Sequence, residues 1–162
     1  MKITKFINIL ALAIFIFNIN YVNSEDDIIS LKDLYKQQNL KSEIGKLKYL
    51  SHFSLQCSSL FQAINEVLPN NNILLASINL QEGAIITKIM LQKTEQRKIK
   101  EEIDEQIIFM KNKYLDLMNK NKKANGKYIN SSGIISNDQE ICKKFVPRFY
   151  KFLRSNSFTI KK

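Results

Sequence analysis

Apolar residues recur at steps of three and four through Leu50, Phe53, Cys57, Leu60, Phe61, Ile64, Val67 and Leu68, the signature of one face of an α-helix. A similar face runs through Ile141, Cys142, Phe145, Val146, Phe149, Phe152 and Leu153. The two faces carry the chain's two cysteines, so the pattern predicts an early and a late helix packed against each other, with the rest of the chain wrapped between them. Ser42, followed by Glu43, Ile44 and Leu47, marks the start of the early helix, and Pro69 with the asparagines after it marks the end. Ahead of it, Ile28, Leu31, Leu34 and Tyr35 predict a short leading helix within Asp27–Gln38.

The stretch from Ile73 to Leu91 is apolar around much of its circumference and is expected to be the central, most buried helix, weakened in its middle by Gly83. Seven polar residues, Gln92 to Lys98, follow before Ile99, Ile103, Ile107, Met110, Tyr114 and Leu117 resume the helical step. A single helix over both runs would be roughly 70 Å long at 1.5 Å per residue, too long for a domain of this size, so a turn is expected near Thr94–Lys98. Asn119–Ser136 reads as a polar loop anchored by Tyr128 and Ile129. Ser136 with Gln139, or Asn137 with Glu140, offers a capping box for the last helix. Pro147 is expected to kink or split that helix. The reading is an all-α fold, a compact bundle of four to five helices stapled by one disulfide.

The N-terminus changes the picture of compartment. Lys2 and Lys5 precede an apolar core from Phe6 to Ile19, and Val22-Asn23-Ser24 offers a cleavage site, as in an export signal. The apolar run falls short of the roughly 20 residues a spanning helix needs. Residues 1–24 are therefore expected to be a signal peptide cleaved after Ser24, and 25–162 a single helical domain, secreted or periplasmic. Losing Lys2 and Lys5 takes the formal charge from +10 to +8. The excess is almost entirely lysine in a chain rich in Ile and Asn, which fits a solvated Lys-rich exterior as well as it fits a binding surface.

Candidate chemistry is thin. In an oxidising compartment Cys57 and Cys142 are expected to form a structural disulfide, closing a separation of 85 residues for roughly 4 to 5 kcal/mol in the chain-entropy model. Buried free thiols and pairing with another chain are the alternatives, with a catalytic thiol behind both. His52, the one histidine, lies about 140° around the helix from Cys57, which argues against a local dyad. One His and two separated Cys leave a zinc site short of ligands. Glu101, Glu102, Asp104 and Glu105 alternate with Lys98 and Lys100 as on a solvated, ion-paired helix face. Asn130-Ser131-Ser132 matches a glycosylation sequon. No cofactor is expected.

One positive surface remains: Lys120, Lys122, Lys123 and Lys127 at the polar loop, with Lys143, Lys144, Arg148, Lys151 and Arg154 on the last helix. Such a patch suits an anionic membrane surface, a polysaccharide or nucleic acid, although no specific nucleic-acid motif is present.

An early helix with Cys57-Ser58-Ser59-Leu60-Phe61, a late helix ending in Tyr114, a polar Asn/Gly loop and then Asp138-Gln-Glu-Ile-Cys142 together resemble a group of small, uncharacterised secreted bacterial helical proteins. The resemblance implies a helical fold and pairing of the two cysteines, and nothing catalytic. The expectation is a binding or structural accessory protein rather than an enzyme, partnered by another envelope protein or, alternatively, by an anionic surface.

Overall fold

The computed structural model describes residues 28–37, 40–92 and 95–156. The expected export signal, Met1–Ser24, lies outside them, as does the tail beyond Asn156. Five helices follow one another: α1 (Leu31–Gln37), α2 (Glu43–Val67), α3 (Asn71–Gln92), α4 (Gln96–Asn125) and α5 (Ile134–Ser155). There is no strand among the described residues, and one disulfide joins Cys57 to Cys142, so the bundle has the expected all-α, stapled architecture.

Local chemistry sets most of the boundaries. Ser42 caps α2, its hydroxyl accepting from Gly45 N–H at 3.0 Å. Asn70 does the same for α3, its Oδ1 accepting from Asn72 and Ile73 N–H. One helix ends at Gln92 and the next begins at Gln96, so Gln96–Lys98 of the expected Thr94–Lys98 turn are already helical. The loop before α5 is shorter than expected. α4 runs on to Asn125 and stops where Gly126 adopts a left-handed conformation, φ +78°. α5 starts at Ile134 after Gly133, φ +137°, rather than at the Ser136 or Asn137 capping boxes. A backbone conformation open to glycine thus outranked a side-chain cap.

α5 is also continuous through Pro147, against the expected split. The hydrogen bond that proline removes would end on the carbonyl of Lys143, and both residues are on the exposed face, where water can satisfy that oxygen.

The central helix is α2, not the more apolar α3: α2 packs against each of the other four helices and is buried along Phe53–Ile64 except at Gln62. Small residues explain the difference. Ser54, Ser58, Ser59 and Ala63 on α2 and Ser77, Ala84 and Thr87 on α3 are all buried, and they let neighbouring backbones approach. Their hydroxyls are satisfied close by: Ser54 and Ser59 donate to carbonyls of their own helix, and Ser58 donates to Ser77 O on α3 at 2.8 Å. α3 is long and apolar enough to cross a membrane by length and composition, but here it lies along α2, α4 and α5. Gly83, read as a weakness of α3, is its contact with α5. A Cβ built there would collide with the Phe149 ring.

Two clusters make the core. The larger joins α1, α2 and α5 through Leu31, Phe53, Cys57, Leu60, Phe145 and Phe149, with Tyr114 and Met118 from α4. Rings run through it in sequence: Tyr49 to Phe53 at 4.3 Å between centroids, Phe53 to Phe145 at 5.4 Å and Phe145 to Phe149 at 5.1 Å. The smaller cluster packs Leu55 and Ala84 against Ile99, Ile103 and Ile107 of α4.

Candidate functional site

Two features stand side by side near the N-terminal end of α1. The first is a buried polar cluster. Asp138 of α5 and Tyr114 of α4 are fully buried, and Gln56 of α2 is nearly so. Tyr114 donates its phenolic proton to Asp138 Oδ2 at 2.7 Å, and Asp138 Oδ1 accepts the backbone N–H of Leu31 at 2.9 Å. The Gln56 amide donates to Ile29 O at 2.8 Å and to Tyr114 Oη at 3.0 Å, with Asp138 Oδ2 a further 3.4 Å contact. Four separate segments are therefore tied together at one carboxylate.

Burial pushes the Asp138 carboxyl above the usual range, while the donors from Tyr114, Leu31 and Gln56 pull the other way. Burial, reinforced by the Asp138 charge, pushes the Tyr114 phenol well above its ordinary value. The phenol keeps its proton, and Asp138 Oδ2 accepts it in the hydrogen bond. Enclosed on all sides, the pair is placed to hold α1 against the bundle rather than to meet a substrate. Asp138 stands one turn before Cys142 on α5, so the carboxylate and the disulfide pin the same stretch of α5 to α2. The disulfide spans a Cα–Cα distance of 5.6 Å, and both cysteines are fully buried.

The second feature is a groove between α2 and α4 in two adjoining sections that share His52, Leu55 and Gln106. One section, of about 330 Å³, is walled by Ile28, Ile29 and Leu34 from the α1 segment and by Phe109 and Met110 from α4, with Gln56 at its base and Lys113 at its rim. The other, of about 480 Å³, is lined by Ile44, Lys48 and Ser51 of α2, Lys88 of α3 and Glu102 of α4. Across the two sections large apolar side chains are open to solvent: Ile29 is 52% exposed and Phe109 58% in the first, and Ile44 63% in the second. Lys88 pairs with Glu102, whereas Lys48 is exposed and makes no ion pair among the described residues. Lys113 lies over the Phe109 ring at 4.8 Å.

His52 stands on the outer surface of α2, pointing away from the disulfide as its spacing predicted, and it belongs to both sections of the groove. Desolvation lowers its imidazole pKa, and the charges of Lys88 and Lys48 lower it further, so the ring is neutral at neutral pH. Among the described residues no three of His, Cys, Asp and Glu converge as metal ligands.

The nine cationic residues singled out in the sequence fall on two elements. Lys120, Lys122 and Lys123 occupy the last turns of α4 and Lys127 its loop. Lys122 donates to Gly126 O at 2.9 Å and lies over the Tyr128 ring, which gives it a local role at the helix C-terminus. Lys143, Lys144, Arg148, Lys151 and Arg154 share the exposed face of α5, where Lys144 pairs with Glu140. The acidic run of α4 is a solvated face in part only. Lys100 pairs with Asp104 and Arg97 with Glu101, but Glu102 reaches Lys88 on α3, and Asp104 accepts from Gln81 on α3. The sequon residue Asn130 is engaged at both ends of its amide, accepting from Asn125 and donating to Asn121.

Sequence reasoning missed both main features. The groove had one visible signal, the four consecutive apolar residues Ile107-Ile-Phe-Met110: a single helix face takes Ile107 and Met110 and leaves Ile108 and Phe109 without a place in the core. No protein-family model, curated protein or solved structure matches the chain.

Proposed function

We propose that this is an exported, non-enzymatic binding protein, working in the periplasm or outside the cell after cleavage behind Ser24, and that its ligand occupies the α2/α4 groove. The observation that carries the reading is the convergence of Ile29, Ile44 and Phe109, each more than half exposed, on one continuous groove. Leaving large apolar side chains in water is unfavourable by about 25 cal/mol per Å², and apolar surface gathered in a concave site is where ligands bind. The disulfide suits the oxidising compartment that the reading requires.

A second reading is supported by the exposed face of α5, where Lys143, Lys144, Arg148, Lys151 and Arg154 face solvent with Glu140 as their neighbouring acid. On that reading the protein docks on an anionic surface.

One experiment separates them. The protein is exported, purified without denaturation and weighed both intact and under native conditions. The groove reading expects a chain beginning near Glu25 carrying a small-molecule adduct that a Phe109→Asp variant lacks. A native protein free of adducts, together with salt-sensitive cosedimentation on anionic vesicles, transfers the function to α5.

A further inference from the structure

The groove is polarised along its length, and that polarity specifies a ligand. α2 and α4 run in the same direction beside it: Ile44 and Lys48 stand opposite Glu102, and Gln56 stands near Lys113. The twelve residue steps from Ile44 to Gln56 cover about 18 Å at 1.5 Å per residue. One acyl chain spans half of the roughly 30 Å hydrocarbon core of a bilayer, so the groove is the length of one such chain. Its Phe109 end is mainly apolar, bounded by Ile28, Ile29, Leu34 and Met110, and the cation at its rim, Lys113, lies over the Phe109 ring. Its other end presents Ser51 and Gln92 with two cations, Lys48 and Lys88, against the single acid Glu102. Because Lys88 is already committed to Glu102, the uncompensated charge there is that of Lys48.

We infer that the groove holds a single-chain amphiphile with an anionic head group, its chain lying toward Phe109 and its head against Lys48. The inference rests on the groove reading above and adds the ligand's chemical class and orientation. The apolar section suits a hydrocarbon chain because Ile28, Ile29, Leu34, Leu55, Phe109 and Met110 make up most of its lining. At the head, Lys48 supplies charge and Ser51 a hydroxyl.

The test uses dodecanoate, dodecanol and dodecyltrimethylammonium, each held below its micelle concentration and titrated calorimetrically into the disulfide-bonded exported protein. The chain contains no tryptophan, so Met110→Trp gives a single emission reporter inside the apolar section. One dodecanoate per protein is expected, with a blue-shifted reporter, weaker binding of the alcohol and the weakest binding of the cation. Lys48→Glu should weaken dodecanoate about tenfold and leave dodecanol unchanged. Phe109→Asp should remove binding of all three with little change in the melting midpoint, since Phe109 is mostly exposed.

Equal affinity for the three compounds, with no effect of Lys48→Glu, overturns the head-group assignment while leaving the groove as a binding site. Failure of all three to bind, in a protein that still carries a native adduct removed by Phe109→Asp, overturns the ligand class alone. Failure of all three with no such adduct overturns the groove reading as well.

Discussion

The two sides of α2 differ in how completely they are closed. Toward α5 the helix is sealed by the Cys57–Cys142 bond, by the ring series from Tyr49 to Phe149 and by a carboxylate whose oxygens are both occupied. Toward α4 the same helix packs Leu55 against three isoleucines and then opens into the groove, where apolar side chains remain in water. The buried cluster depends on completeness, because each polar group in it would be costly alone. The groove depends on incompleteness, since a chain able to fold Tyr114 and Asp138 into full enclosure has left Phe109 out. Gln56 joins the two, its side-chain amide bonded to Tyr114 in the closed cluster while the residue also lines the base of the groove.

The largest way to break the closed side is to remove its covalent link. Reduction, or Cys142→Ser, should lower unfolding free energy by a few kcal/mol, below the roughly 4 to 5 kcal/mol of the chain-entropy model because the denatured chain keeps residual structure. Urea midpoints of oxidised and reduced protein measure it. A midpoint unchanged by reduction would show that packing alone holds α5 to α2.

Next in size is the carboxylate. Asp138→Ala strands the Leu31 N–H and the Tyr114 hydroxyl in a dry site and should cost about 2 to 3 kcal/mol. Asp138→Asn keeps an acceptor for Leu31 and should cost less. The pH dependence has a definite sign. Burial raises the folded pKa of Asp138 above its unfolded value, so its contribution is most favourable below the ordinary carboxylate pKa and declines as pH rises through the raised folded value. The stability of the native protein relative to Asp138→Asn should therefore be greatest below the ordinary carboxylate pKa and shrink as pH rises, read from urea midpoints on both sides of it. A difference that grew with pH would mean that the donors from Tyr114 and Leu31 outweigh desolvation.

The smallest of the three effects sharpens the contrast at α3. Gly83→Ala should raise intrinsic helix propensity by about 1 kcal/mol, yet the new methyl group meets the Phe149 ring, and overpacking of this kind costs about 1 to 3 kcal/mol. A net loss of stability that Phe149→Leu partly restores in the double variant is expected in thermal melts. Simple stabilisation by Gly83→Ala would show that α5 yields easily at this point.

Several features were legible in the sequence for identifiable reasons. The Ser42 cap, the stop at Pro69 and the polar break before Gln96 are short-range chemistry, so they appear in the structure where the chain placed them. The capping boxes at Ser136 and Asn137 misled because helix starts are a competition, and glycine at position 133 offered an earlier one. α3 misled as the central helix because apolar content was taken for depth. Depth followed the small residues that let helices close up, which places α2 at the centre.

What the sequence determined by itself was the helical period, the helix ends set by nearby residues, and two apolar faces each bearing one cysteine. These depend on residues within a few turns of one another. The tertiary structure alone decided that Asp138, 107 residues from Leu31, would receive its backbone N–H, and that Tyr114 and Gln56 would complete that site. It also decided that Phe109, Ile29 and Ile44 would share one groove. Each of these joins positions on different helices, and the spacing of residues along one helix fixes which face a side chain takes but not what another helix brings to meet it.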